Sequence, residues 1–327
     1  MREGCANPEG RQAVVQEALQ DGELHKALLD QLDTGIYIVD RDRRILYWNG
    51  GAERITGYLA HEVAGHFCHG DLLMHCDAEG AVLCGTRCPL LHVMQDSKPR
   101  ECTVFLRHRQ GHRLPVHVRS RPIHNSNGEI VGAVEVFEEA LAPARHAIRE
   151  LQVFGCLDDL TGAANRRYGE MRVGQALEAL NEFGIPFGWL RIGLDSTERL
   201  ERRYGHGLID AAMKMLFGTL DGNLGSFDVL TRWSKAEFRV EVHYSARLAL
   251  AEIAEKLVVL VRASALEWWG DRLRLTVSIG AGRAEPGDTL ESLEARVAGV
   301  FESCQAGSGD RATVAHAAAP ERTPCLP

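Results

Sequence analysis

From residue 166 onward the hydrophobic period of the chain changes at nearly every turn signal, and this alternation restricts the fold more than any other property of the sequence. "RRYGEMRVGQALEALNEFG" has helical spacing and "FGWLRIGL" reads as a buried strand. "HGLIDAAMKMLFGTL" returns to a helix with Leu208, Ala211, Ala212, Met215 and Leu216 on one face. "DVLTRW" and "EFRVEVH" then read as two strands around a turn, "RLALAEIAEKLVVLVRAS" as a long amphipathic helix, "LRLTVSIGAG" as a strand and "TLESLEARVAGVFESCQ" as a closing helix. Strands that alternate with helices predict a sheet covered on at least one face. Past Gly307 the composition offers no core, so a disordered tail is expected over 306–327.

The first half is patterned differently. After a lead-in over 1–22, "GIYIVD" and "ILYWN" read as short strands joined by the polar turn "RDRR", and Asn49 is placed to cap the short helix "GGAERITGY". Three longer strand candidates follow, "ECTVFLRH", "HRLPVHVRSRPI" and "EIVGAVEVFEE", with turns at Gln110-Gly111 and Asn127-Gly128. Pro115 and Pro122 predict irregular or exposed-edge positions in the middle strand. Together these elements predict an α+β domain over 23–138 with an antiparallel sheet and flanking helices. Residues 139–156 read as a helical connector in which Ile148, Leu151 and Phe154 share a face. Such a face is satisfied either by a second copy of the same helix, giving a homodimer, or by the chain's own domains.

At 327 residues and a formal net charge of -8, the chain has room for two domains and no global electrostatic attraction to nucleic acid or an anionic membrane. No run approaches the roughly 20 apolar residues of a membrane helix, and "MREGCANPEG" lacks the apolar core of an export signal, so a cytoplasmic location is expected. Of nine cysteines, Cys68, Cys76, Cys84 and Cys88 crowd into one short segment, which points to a local site rather than to a disulfide scaffold.

Three motifs in the second half identify a resemblance. "DDLTGAANRRY" at 158–168, "YGHGLID" at 204–210 and "VSIGAG" at 277–282 resemble, in the same order, the conserved segments of GGDEF domains, the catalytic domains of diguanylate cyclases. Residues 157–305 are therefore identified with that family. Residues 23–138 resemble a PAS sensory domain through "GIYIVDRDRRILYWNGGAERITGY" and "PIHNSNGEIVGAVEVFEE", and the connector sits where PAS–GGDEF proteins carry a signalling helix.

The resemblance implies attack of a ribose 3'-hydroxyl on the α-phosphorus of a second GTP, supported by two divalent cations that need carboxylate ligands. It places those ligands at Gly193 and Ala236, and neither residue has a carboxylate. The signature turn reads Ser234-Lys235-Ala236-Glu237-Phe238, in which only Glu237 and Phe238 keep the family letters. Asp195 is retained on the strand, and Asp210 matches the aspartate that bonds guanine. Glu201 stands where the family has asparagine, and Thr197 and Glu198 where it has Phe-Lys. The lysine of the last helix is replaced near Glu302 or Ser303, and the inhibitory Arg-x-x-Asp reads Gly225-Ser226-Phe227-Asp228. His206 and Asp195 are also expected to serve structure, by satisfying backbone groups or capping the following helix.

The segment "GHFCHGDLLMHCDAEGAVLCGTRCPLLHV" at 65–93 combines thiols with imidazoles, a donor set suited to zinc or an iron–sulfur cluster. It resembles related PAS segments with Cys...His-x-Asp...Cys-x-x-x-Cys-Pro-Leu, which implies Cys68, His75, Cys84 and Cys88 as ligands with Cys76 as an extra candidate. The alternative is a set of partly buried free cysteines. His92, His108, His112 and His117 are candidate cofactor ligands by number alone, and polar-facing histidines are expected instead.

Three functions follow as expectations. The first is a signalling protein whose PAS sensor regulates a catalytically silent GGDEF domain acting through nucleotide or protein contacts, with partner signalling proteins or an intact GGDEF domain. The second is a weakly active diguanylate cyclase using GTP and magnesium, and the third is a metal or redox sensor.

Overall fold

The computed structural model describes residues 22–70, 72–140, 152, 154–243 and 250–315. Two compact units emerge: 1–75, 82–104 and 116–140 group as one, and 76–81, 105–115 and 141–327 as the other. The expected lead-in, the connector and the last residues of the expected tail fall largely outside the described residues.

The first unit is built on a five-stranded sheet. Helix α1 (Gly22–Asp30) leads to β1 (Gly35–Asp40), β2 (Ile45–Trp48), α2 (Gly50–Thr56), α3 (Ala60–Val63), α4 (Pro89–Asp96), β3 (Arg100–Arg107), β4 (Arg113–His124) and β5 (Ile130–Glu139). The strand order is β2-β1-β5-β4-β3, with β1 antiparallel to both β2 and β5. Asp40 makes the β1–β2 turn by accepting from the amides of Asp42 and Arg44, and this holds Arg43 at a φ of 67°.

Asn49 does more than cap α2. It is fully buried, and its Oδ1 accepts from Ala52 N at 2.8 Å and Ile36 N at 2.7 Å. Its Nδ2 donates to the carbonyls of Leu29 and Thr34, so one amide ties α1, β1 and α2 together. The expectation that prolines mark β4 as an edge is corrected by the sheet order, which puts β4 between β5 and β3. β4 has 12 residues against 8 in β3, so its C-terminal part outruns that neighbour and Pro122, opposite Ala133 of β5, can be accommodated there.

The second unit is a six-stranded sheet of order β13-β12-β7-β9-β8-β6. Its elements are β6 (Ala164–Asn165), α5 (Arg166–Phe183), β7 (Gly188–Leu194), α6 (Thr197–Tyr204), α7 (His206–Asp221), β8 (Val229–Ser234), β9 (Glu237–Val242) and α8 (Leu250–Ala263). A separate two-stranded ribbon, β10 (Leu266–Trp268) with β11 (Asp271–Leu273), precedes β12 (Val277–Arg283), α9 (Leu290–Ala306) and β13 (Arg311–Val314). β7, β9, β8 and β12 are mutually antiparallel neighbours, while β13 and β6 add in parallel at the two edges.

Side chains on a strand alternate between faces, and here the two faces are chemically distinct. Leu190, Ile192, Phe238, Val240, Val242 and Ile279 form one core with α7 and α8. Trp189 on the other face packs with Val173, Ala176, Leu177 and Leu180 of α5 and with Leu293 and Val297 of α9. The sheet is thus covered on both sides. The expected tail is corrected over its first part, where Arg311–Val314 forms a strand beside β12. Ala312 and Val314 pack against the larger core and Thr313 Oγ1 meets Cys304 Sγ at 3.1 Å, contacts too short and too spaced to register as a hydrophobic run.

Replacing Asn49 with Ala leaves the Ile36 amide and the Leu29 and Thr34 carbonyls without their buried partner, which should lower stability by about 2–3 kcal/mol. Urea denaturation of the full chain checks it, and a change below about 0.5 kcal/mol would show that water replaces the amide.

Candidate functional site

β8 and β9 form a hairpin in which Ser234 opposes Glu237, leaving Lys235 and Ala236 as the loop. Neither loop residue has a positive φ. The turn is held by one side-chain and one backbone donor instead: Arg232 Nη2 donates to the Lys235 carbonyl, and Leu194 N to the Ala236 carbonyl at 3.0 Å.

Lys235 reaches across to the α6–α7 junction. Its ammonium pairs with the Glu201 carboxylate, which also meets His206 Nδ1, and Lys235 Nζ lies 3.2 Å from that same imidazole nitrogen. The lysine and the histidine hold the Glu201 carboxyl below the ordinary range. Glu201 is therefore engaged by this chain, while Asp210 lies nearby on α7 and contributes to the field at Arg232.

The two retained carboxylates are also committed. Asp195 accepts from Ser278 Oγ at 2.7 Å and from Asp310 N at 2.8 Å, so it ties the end of β7 to β12 and to the residue before β13. Glu237 accepts from Arg191 Nη2 at 2.8 Å and Arg239 Nη1 at 3.0 Å. Burial opposes its ionisation, but the two guanidinium groups prevail and lower its pKa. Arg239 in turn donates to both oxygens of Glu294 on α9, at 2.8 and 3.1 Å, and Glu294 also accepts from Trp189 Nε1 at 2.6 Å.

At Gly193 an added Cβ would lie 2.5 Å from Phe301 Cζ, and the guanidinium of Arg191 stacks 4.3 Å above that same ring. The space a side chain at 193 would need is filled by α9. With no carboxylate at 193 or 236 and each Glu237 oxygen accepting from an arginine, the residues present do not fit a pair of magnesium ions. Beside the turn an open cleft of about 510 Å³ is lined by Asp195, Thr197, Glu198, Arg199, Arg202 and Gln305, a mixed-charge wall.

In the first unit Cys84 and Cys88 lie close enough to Cys68 to help burial raise its thiol, and all three are free thiols. Cys88 precedes α4 with Pro89 at the first helical position, which is why Cys-Pro-Leu begins a helix there. Cys84 Sγ accepts from His75 N at 3.1 Å, and burial, with Cys88 next, pushes its thiol up to about 12. Among the described residues no three His, Cys, Asp or Glu side chains are arranged to hold a metal ion, so the predicted ligand set is gathered without being preformed as a centre. Cys76 is separate: it pairs with Phe105 through both backbone groups and points its thiol at the Phe105 carbonyl.

Sequence reasoning missed Glu135. This carboxylate is buried, accepts from Tyr37 Oη and Ser120 Oγ at 2.8 Å each, and lies 4.0 Å from His75 Nε2. Its one signal was a lone acid on the inward alternation of "AVEVF". The other histidines are engaged or buried: His92 meets the Thr86 carbonyl and His117 meets Glu101. His108 and His112 stack at 4.2 Å, and burial pushes them down to about 4 and about 3.

The five-stranded sheet with short helices in the first unit and the six-stranded sheet with its β8–β9 turn in the second are two different domain types in succession. Residues 23–139 match the PAS fold and residues 156–298 match the diguanylate cyclase GGDEF domain. The chain therefore carries a PAS domain followed by a GGDEF domain of the diguanylate cyclase type. It is 25% identical over 275 residues to the probable diguanylate cyclase DgcE of Escherichia coli K12, covering 81% of this chain and 24% of that protein. It is 30% identical over 165 residues to the response regulator PleD of Caulobacter vibrioides, covering 49% and 36%. The chain thus spans only a quarter to about a third of these relatives. The coiled coil and GGDEF domain of DgcB from Caulobacter crescentus, solved with c-di-GMP, is 19% identical with a TM-score of 0.47, covering 52% of this chain and 91% of that one.

Gly193→Asp should destabilise the protein by about 2 kcal/mol or more, because the new side chain collides with the Phe301 ring and carries an extra charge toward Glu237. Adding Phe301→Ala should recover part of that loss, and the double-mutant cycle measured by chemical denaturation reads the coupling. Additive effects would show that the ring does not occupy this space.

Proposed function

We propose that this protein is a PAS-regulated signalling protein whose GGDEF domain makes no cyclic di-GMP and acts through contacts. One observation carries the reading: Glu237 is neutralised by Arg191 and Arg239 while the Phe301 ring fills the volume beside Gly193. Phosphoryl transfer depends on cations that stabilise developing charge, and such ions need carboxylates left free to bind them. Here arginines hold Glu237, while Ser278 and the Asp310 amide hold Asp195. Lys235 and His206 likewise engage Glu201, one of the two positions that the family resemblance assigns to the guanine base.

A metal or redox sensor is the second reading, favoured by three free cysteines and His75 gathered near buried Glu135. Metal analysis of the purified protein together with its visible absorbance separates zinc, iron–sulfur and metal-free forms.

Incubation of the full chain with excess GTP and magnesium or manganese should yield no cyclic di-GMP by chromatography, beside an active cyclase that does. Ala236→Asp alone should not restore product, since Arg191 and Phe301 remain in place. Product formation by the unmodified chain that disappears in Glu237→Ala would place the protein among the active cyclases and end the contact-only reading.

A further inference from the structure

At the far end of β9, three buried polar atoms have no hydrogen-bond partner among the described residues: Glu241 Oε2, His243 Nδ1 and Arg172 Nε. Glu241 is 1% exposed. Its other oxygen, Oε1, lies 3.2 Å from Arg172 Nη2 on α5 and 3.4 Å from His243 Nε2 just beyond β9. Asp228, ahead of β8, accepts from Gly225 N at 2.7 Å and His243 N at 2.8 Å, so it fixes the backbone of His243 while adding a negative charge near Glu241. The cross-strand neighbours Val229 and Trp189 do not titrate with Glu241, and Arg239 is taken by Glu237 and Glu294. Among the described residues, Arg172, His243 and Asp228 are therefore the charged or titratable groups that face it.

A buried carboxylate is stable in its ionised form only when its lone pairs are well supplied with donors. Glu241 has contacts at one oxygen and none at the other. The neutral acid makes a smaller demand, and its proton can be held within the protein without a full set of partners. We propose that Glu241 is a proton-operated switch in the second unit, neutral in mildly acidic conditions and ionised, drawing on Arg172 and His243, as the pH rises.

Burial chiefly, then Asp228, raises this carboxyl against the pull of Arg172, to about 7. An acid whose folded-state pKa is raised keeps its proton in the folded chain over a window where the unfolded chain has lost it. Stability is then highest below the ordinary carboxylate range, falls as pH climbs from about 4.5 through about 7, and is level above that. Arg172 stands beside Val173 on α5, the helix that packs Ala176 and Leu177 against the sheet, so the charge on Glu241 bears directly on how this helix is held.

The test uses the full chain. Carbon NMR of labelled glutamate carboxyls should show one group titrating near pH 7, absent in Glu241→Gln. Hydrogen exchange over 166–183, corrected for its intrinsic pH dependence, should lose about tenfold or more in protection between pH ~5.5 and ~8.5 in the unmodified chain and stay level in the variant. Because Glu241→Gln can also perturb folding, Arg172→Met provides a second arm: the transition should persist with its midpoint moved upward. A glutamate titration confined to the ordinary range, or a transition that survives Glu241→Gln and vanishes in His243→Asn, would overturn the proposal. So would an unmoved or lowered midpoint in Arg172→Met.

Discussion

The guanidinium of Arg239, 3% exposed at its side chain and bonded to Glu237 on its own strand and Glu294 on α9, is the contact on which the second unit depends. β9 alternates cleanly, with Phe238, Val240 and Val242 on one face and Glu237, Arg239 and Glu241 on the other. In a half-solvated sheet the second face would meet water. Here α5 and α9 cover it, so each charge must find its partner within the fold. Burying such a set carries a large desolvation cost, and removing one member leaves the others uncompensated. The pairs therefore constrain each other: Arg191 and Arg239 share Glu237, Arg239 and Trp189 share Glu294, and Arg172 and His243 share Glu241.

That constraint bears on Gly193 and on the β8–β9 turn together. A carboxylate at 193 would meet the Phe301 ring and stand near Glu237 on the paired strand, adding negative charge where two arginines already balance one acid. A hairpin without glycine is feasible because Arg232 and Leu194 close it from the side and Lys235 leans out to Glu201. Asp195, just past the end of β7, joins β12 to the approach to β13. Glu237 likewise makes its hydrogen bonds inside the unit, to Arg191 and Arg239.

Most of this architecture could be read from the chain. Period changes placed the strands and long helices, Asn49 announced α2, and motif order identified both domains before any geometry was known. What could not be read depends on partners distant in sequence. Nothing in "EFRVEV" says its charged face is buried, because Glu294 lies 55 residues away from Arg239. Glu135 is 98 residues from Tyr37, and its role emerges only when β1, β4 and β5 are aligned. β13 is too short to carry a pattern, and Cys76 shares its segment with the other cysteines but turns to pair with Phe105.

The first unit repeats the same principle in a smaller space. Glu135 sits on β5, bonded by hydroxyls from β1 and β4, with His75 of the cysteine segment close by. Burial, and Glu135 next, push the Tyr37 phenol well above its ordinary range, so it stays a donor to the carboxylate. His75 is joined through its amide to Cys84 and approaches Glu135 through its ring. A change at the thiols that moves His75 therefore alters the field at a carboxylate whose two short hydrogen bonds hold the central strands in register. β5 pairs with β4 along nearly its whole length and with β1 over 132–137, so a displacement at Glu135 is opposed by two ladders and felt along the strand rather than absorbed locally.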